Sequence, residues 1–223
     1  VLFGLPALLL GVAVLAWCWG PRDLDRDVEA VIDADEASAR QAAVRHLQAA
    51  GGSLREDVPS LVEATVLNAL RRWFAVLFWF LLLGPVGALA YRLLALMAES
   101  PMRARVPVEP LALAQRVLSW IEWPVAQLMA FSMALVGNFD TAWKAWRQAH
   151  GERLAGGIGF LGAVARASVN AELREDAHDY TEAGLLPVWQ RLPDLRDAMS
   201  LVWRMLLLWL AVLALLVIAG WVT

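Results

Sequence analysis

NALRRWFAVLFWFLLLGPVGALAYRLLALMAES, residues 68 to 100, decides how the rest of the chain is understood. Arg71 and Arg72 run straight into an apolar stretch, Gly84-Pro85 interrupts it, and Tyr91-Arg92 follows two helical turns later. A bilayer core takes roughly 20 apolar residues as helix, so Trp73 to Met97 is long enough to cross. Proline in a helix interior removes a donor and clashes with the preceding turn. The segment therefore either crosses as a broken helix or turns at Gly84-Pro85 and returns to the side it entered from. Unwound backbone at membrane depth is tolerated only where protein or a water-filled cavity covers it.

Composition agrees with a lipid solvent. The chain is 60% hydrophobic and 18% charged, with a mean hydropathy of +0.54, against about 45–50% apolar for soluble domains. Of its 12 tryptophans, Trp17, Trp19, Trp73, Trp120, Trp123, Trp203 and Trp221 sit near the ends of apolar runs, where indole rings prefer the headgroup layer. The predicted class is all-α: a polytopic transmembrane helical protein with cytoplasmic amphipathic helices. A net charge of −3 excludes nucleic acid as the implied partner. The single cysteine, Cys18, excludes an internal disulfide framework. The chain opens Val-Leu-Phe, without methionine; a segment upstream of Val1 is expected, and the opening run is read as a bilayer helix rather than a cleaved leader.

Spans are predicted at about 1–19, 73–97, 111–136 and 201–222, all in one membrane domain. The third is interrupted by Gln115, Arg116, Glu122 and Gln127. Polar segments cover 20–72 and 137–200. In the first, Leu24, Val28 and Ile32 form a helical stripe, a second amphipathic helix stops at Gly51-Gly52, and Ser60-Leu-Val-Glu63 resembles a capping box that runs on into the second span. Helical stretches are expected around FDTAWKAWRQAH and NAELREDAHDY in the second. Arg22, Arg26, Arg71, Arg72, Arg191 and Arg196 flank the spans on these segments, placing both in the cytoplasm. Arg92, Arg103 and Arg105 conflict with that scheme if the second span crosses fully, and re-entry removes the conflict.

Candidate chemistry is sparse. Gly157-Ile-Gly159-Phe-Leu-Gly162 has the letters of a dinucleotide loop, but a polar helical stretch precedes it rather than a strand; close helix packing or a hinge is the expected use. His46, His150 and His178 lack metal-ligand spacing, and neither a metal nor a cofactor is implied. Glu63, Asn68, Arg71, Arg72, Tyr91, Arg92 and Asp140 remain as the ligand-binding candidates, with no catalytic residue assigned. Asn68 and Arg72, four apart, share a helix face.

Three stretches together, GPRDLDRDVEAV (20–31), VEATVLNALRRWFAVLFWFLLLGPVGALAYRL (62–93) and VGNFDTAWKAW (136–146), resemble the AmpE family of inner-membrane proteins linked to β-lactamase induction, which is related to the cobinamide-phosphate synthases CobD/CbiB. The synthases join an amine to a corrinoid carboxylate with nucleotide-driven activation. Glu63, Asn68, Gly84, Gly87, Ala88 and Tyr91 match their pattern. Arg92 stands for a lysine, Leu67 for a second acid, Arg71-Arg72 for Asp-Gly, Ala95 and Ala98 for a later Asn and Asp, and GGIGFL for a Trp-Pro-Glu motif. Phosphoryl chemistry needs metal-holding acids, so the resemblance implies a kept scaffold, a lost synthetic site and a regulatory role in the response to cell-wall stress. The alternative is a membrane amide ligase using Glu63, Asn68 and Asp140. The expected partners are the lipid bilayer, an anionic small ligand (muropeptide, nucleotide or lipid) held in a cationic pocket of Arg71, Arg72 and Arg92, and a second copy in a homodimer.

Overall fold

A computed structural model of the chain describes residues 4–19, 23–48, 57–98, 108–152, 158–182 and 192–219. Arg22, Gly51-Gly52, Arg103, Arg105, Gly157, Arg191 and Trp221 lie outside the described residues. Apart from short connections the described residues are helical, with no strand among them. In chain order they form α1 (Gly4–Trp19), α2 (Leu24–Asp33), α3 (Ala37–Gln48), α4 (Val58–Ala69), a π-helical turn (Leu70–Phe74), α5 (Ala75–Ala98), α6 (Val108–Val136), α7 (Phe139–Glu152), α8 (Gly159–Glu182) and α9 (Pro193–Ile218).

Helix α2 forms where the stripe predicts it. Asp25 and Asp27 lie in its first turn, complementing the helix dipole, and Leu24, Val28, Val31 and Ile32 are buried. The capping box is corrected: α4 starts earlier than Ser60. Pro59 fits the donor-free first turn, Asp57 is the N-cap residue, and the Ser60 hydroxyl donates to Asp57 Oδ1 at 2.7 Å. Glu63 is thereby freed from capping. Helix α4 is buried on nearly every side, as befits a helix apolar all round, and it contacts α2, α3, α8 and α9. It continues without a loop through the π turn into α5, as the sequence predicts. A π turn carries one extra residue, so α5 leaves at a new rotational phase; Arg71 and Arg72, as neighbours roughly 100° apart on a helix, meet different partners.

The break falls at the predicted place. Gly84 has φ +68° and ψ −159° inside α5, a region open essentially to glycine alone. The chain reverses direction here instead of bending through a shallow kink. A Cβ placed on Gly87 would lie 2.5 Å from the Trp79 carbonyl oxygen, whereas a straight helix holds positions 79 and 87 about 12 Å apart. Arg71 Nε and the Tyr91 hydroxyl reach the same oxygen of Glu122, at 2.8 and 3.1 Å, where a straight helix would separate their backbones by about 30 Å. The motif is a helical hairpin: one arm up to Leu83, a turn at Gly84-Pro85, and a returning arm on which Ala88, Tyr91, Ala95 and Ala98 form a buried stripe. Its tip lies about 18 Å beyond Arg72 along the first arm. Helix α1 packs against the hairpin near its tip; a Cβ on Gly11 would come within 3.4 Å of Phe80 and 3.8 Å of Pro85.

Two described helical runs, Val58–Ala98 and Pro193–Leu215, are long and apolar enough to cross a membrane by length and composition. The first is folded at Gly84, so its apolar length is divided between two arms. Helix α9 begins ahead of the predicted span because its first turns pack into the interior, with Leu195 and Ala198 buried. Beyond Leu206 its large apolar side chains turn outward, reaching 82% exposure at Ile218. On α6 the outward face carries Leu113, Val117, Trp120, Leu128, Phe131 and Leu135, a stripe about 33 Å long.

Candidate functional site

Glu122 is the centre of the polar arrangement. It is fully buried on α6, and a buried carboxylate must be paired and hydrogen-bonded to remain charged. Arg71 meets it with both ends of its fork, Nε to Oε1 at 2.8 Å and a terminal nitrogen to Oε2 at 3.2 Å, while Tyr91 donates to Oε1 at 3.1 Å. Such bidentate pairs are the stronger kind of charged hydrogen bond. One carboxylate thus ties the base of the hairpin, its returning arm and α6 together. In sequence Glu122 read as an interruption of the third span. Turned inward, it leaves the outward stripe of α6 apolar, with Arg116 exposed at its edge.

Arg72, one residue on, points elsewhere and pairs with Asp27 of α2 at 2.8 Å. Asn68 lies toward the same α2–α3 side: its amide nitrogen donates to the Leu47 carbonyl at 2.6 Å and to Ala64 at 2.8 Å. It satisfies a carbonyl at the end of α3, a group that helices leave without a partner. The Asn68 carbonyl oxygen is buried without a protein hydrogen bond. Trp203 Nε1 donates to Asp25 at 3.2 Å, and its ring sits 5.3 Å from that of Trp73. Helices α2, α9 and the π turn therefore converge at one end of the bundle.

The three arginines expected to share a cationic pocket point to different partners. Arg71 and Arg72 diverge, and each is matched by a carboxylate that the sequence had not associated with it. Arg92 is part-exposed on the returning arm, within electrostatic reach of Cys18 and Tyr91. Glu63 is separate again. It pairs with Arg166 of α8 and lies against Gly162, where a Cβ would come 2.7 Å from Glu63 Cγ. That contact accounts for the last glycine of the Gly157–Gly162 stretch: α4 and α8 approach too closely for a side chain. Gly159 and Gly162 lie in the first turn of α8, which follows the helix α7, and no strand occurs among the described residues, whereas a dinucleotide loop requires one. Asp140, in the first turn of α7, is exposed and pairs with Lys144 on its own helix, so it joins neither group. Among the described residues, no three His, Cys, Asp or Glu side chains converge as a metal site would require.

Gly162→Ala is expected to cost about 1–3 kcal/mol as an overpacked contact. Glu63→Ala should relieve most of that cost, because the Arg166 it leaves behind is 40% exposed and a solvated cation needs little compensation. A thermal-melting double-mutant cycle with coupling above about 0.5 kcal/mol checks the contact; additive losses would contradict it.

These features define an all-helical protein with membrane-length apolar segments, whose polar side chains tie its helices to one another. Over residues 1–222 it matches the family model described as regulatory signalling modulator protein AmpE. The chain belongs to the AmpE family. No curated protein and no solved structure matches it.

Proposed function

We propose that the chain is a multi-pass protein of the bacterial inner membrane that modulates β-lactamase induction and the response to cell-wall stress without catalysing a reaction. The observation that carries this reading is the pairing of the motif's polar groups. Glu63 is engaged by Arg166, Asn68 by the end of α3, Arg71 by Glu122 and Tyr91, and Arg72 by Asp27. A synthase on this scaffold would need those groups open toward a nucleotide and a metal; here they hold helices together. An anionic ligand (muropeptide, nucleotide or lipid) reaches Arg71 or Arg72 only by exchanging with a carboxylate, and such an exchange would loosen the hairpin or α2. Multi-pass insertion is supported by the large apolar side chains that α5, α6 and α9 turn outward. The likeness to CobD/CbiB is carried by the Val62–Arg92 stretch and is part of the same proposal.

The test is complementation. In a strain lacking its own copy, Glu63→Gln is expected to restore reporter induction by a β-lactam to the wild-type level, and Glu122→Ala is expected to abolish it at equal membrane abundance. Turnover of nucleotide and an amine by purified protein, lost on Glu63→Ala, would overturn the proposal in favour of the amide-ligase alternative.

A further inference from the structure

Helix α7 carries a surface that the regulatory reading does not use. Phe139, Trp143 and Trp146 stack along one face. The Phe139 and Trp143 rings are 6.1 Å apart and 9° from parallel; Trp143 and Trp146 are 5.0 Å apart and 16° from parallel. Phe139 and Trp143 are exposed. Lys144 and Arg147 are exposed beside them, Lys144 paired with Asp140 of the preceding turn. Beneath the ladder, α6 and α7 form an open groove of about 150 Å³ lined by Ala130, Phe131, Ala134, Ala142, Trp143 and Trp146.

The groove asks for a guest without hydrogen-bonding groups. Its polar atoms are already used: Trp146 Nε1 donates to Gln127 Oε1 at 2.8 Å. Its outer lip is Phe131, part of the outward stripe that continues through Leu128 and Leu135. Aromatic rings beside cations on an amphipathic helix are the chemistry of a bilayer border, where the rings sit at headgroup depth and the cations meet lipid phosphates. We infer that α7 lies in the membrane interface as a lipid-docking helix and that the α6–α7 groove seats an acyl chain of a phospholipid. This revises the placement of residues 139–152 from the aqueous cytoplasm to the membrane surface. It rests on the reading of the chain as membrane-embedded.

The experiment places one spin label at a time at positions 139, 143, 144 and 147, in a Cys18→Ala background, with the full chain in phosphatidylglycerol-containing nanodiscs. A control label at Leu215 reports insertion of α9. Labels at 139 and 143 are expected to collide severalfold more often with oxygen than with a water-soluble nickel chelate, and labels at 144 and 147 the reverse. If 215 is in lipid but 139 and 143 meet the chelate as often as 144 and 147 do, the inference fails while the membrane reading stands. If 139 and 143 are shielded from both reagents, a protein covers α7 and the inference fails too. If 215 itself is aqueous, the membrane reading fails and takes this inference with it. All the labelled positions are exposed, so elution at the wild-type volume on size exclusion verifies the fold of each variant.

Discussion

Glu122→Ala is expected to destabilise the protein by about 3–5 kcal/mol, the range for removing one partner of a buried ion pair. Truncation leaves Arg71, itself only 17% exposed, without its carboxylate. It also strips the Tyr91 hydroxyl of its acceptor and opens a void between α6 and the hairpin. Glu122→Gln should fall between wild type and alanine, since the amide oxygen still accepts from one of the two donors but carries no charge. Arg71→Met combined with Glu122→Leu is expected to recover most of the loss, because a buried pair replaced by apolar groups of similar size is often neutral. Thermal unfolding in detergent, monitored by retention of the monodisperse peak, orders the four proteins. A Glu122→Ala variant as stable as wild type would mean that the clasp is not holding the hairpin.

The second large effect is expected at Gly87. Valine there would drive its Cβ to 2.5 Å from both the Trp79 carbonyl oxygen and Leu83 Cβ, and one of these partners is backbone that cannot swing aside. The cost should lie at or above the upper end of about 1–3 kcal/mol for overpacking. The distinguishing readout is location: the returning arm, with Tyr91 on it, should separate from Glu122. A cysteine placed at Ala95, which is fully buried, should react with maleimide severalfold faster in the Gly87→Val background than in wild type. Unchanged reactivity would contradict the hairpin packing. Gly84→Ala should act in the same direction and less strongly, by about 1–3 kcal/mol, since nothing crowds its Cβ and only its dihedral angles suffer.

Local patterns carried much of this architecture. The stripe of Leu24, Val28 and Ile32 gave α2, and the unbroken run from α4 into α5 was visible because no breaker stands between Ser60 and Leu83. Gly84-Pro85 marked the break. The contacts that fold the two arms together, Gly87 against Trp79 and Glu122 of another helix against Arg71 and Tyr91, are not local. Such contacts have no periodic signature. Arg71 finds its acid 51 residues away, Arg72 finds Asp27 at a separation of 45, and Glu63 finds Arg166 at 103. From the sequence alone, consecutive arginines at a span boundary suggest a shared basic pocket. Neighbours on a helix point roughly 100° apart, and what the sequence does not reveal is which acid each arginine meets. A signal did exist for Glu122: a lone acid in an otherwise apolar stretch, the kind of intramembrane charge that demands a partner. It marked the third span as weak when it should have marked the missing counterpart of an arginine.

The hairpin itself is tested most directly by sidedness. In a Cys18→Ala background, a single cysteine at Met97, exposed near the end of the returning arm, is compared with one at Gln41, exposed on α3. A membrane-impermeant maleimide is applied to right-side-out and to inverted vesicles. If residues 73–97 turn at Gly84 and come back, both cysteines react in the same vesicle orientation. Reaction of position 97 from the opposite face would mean that the segment passes straight through, and the clasp of Arg71, Tyr91 and Glu122 could not exist.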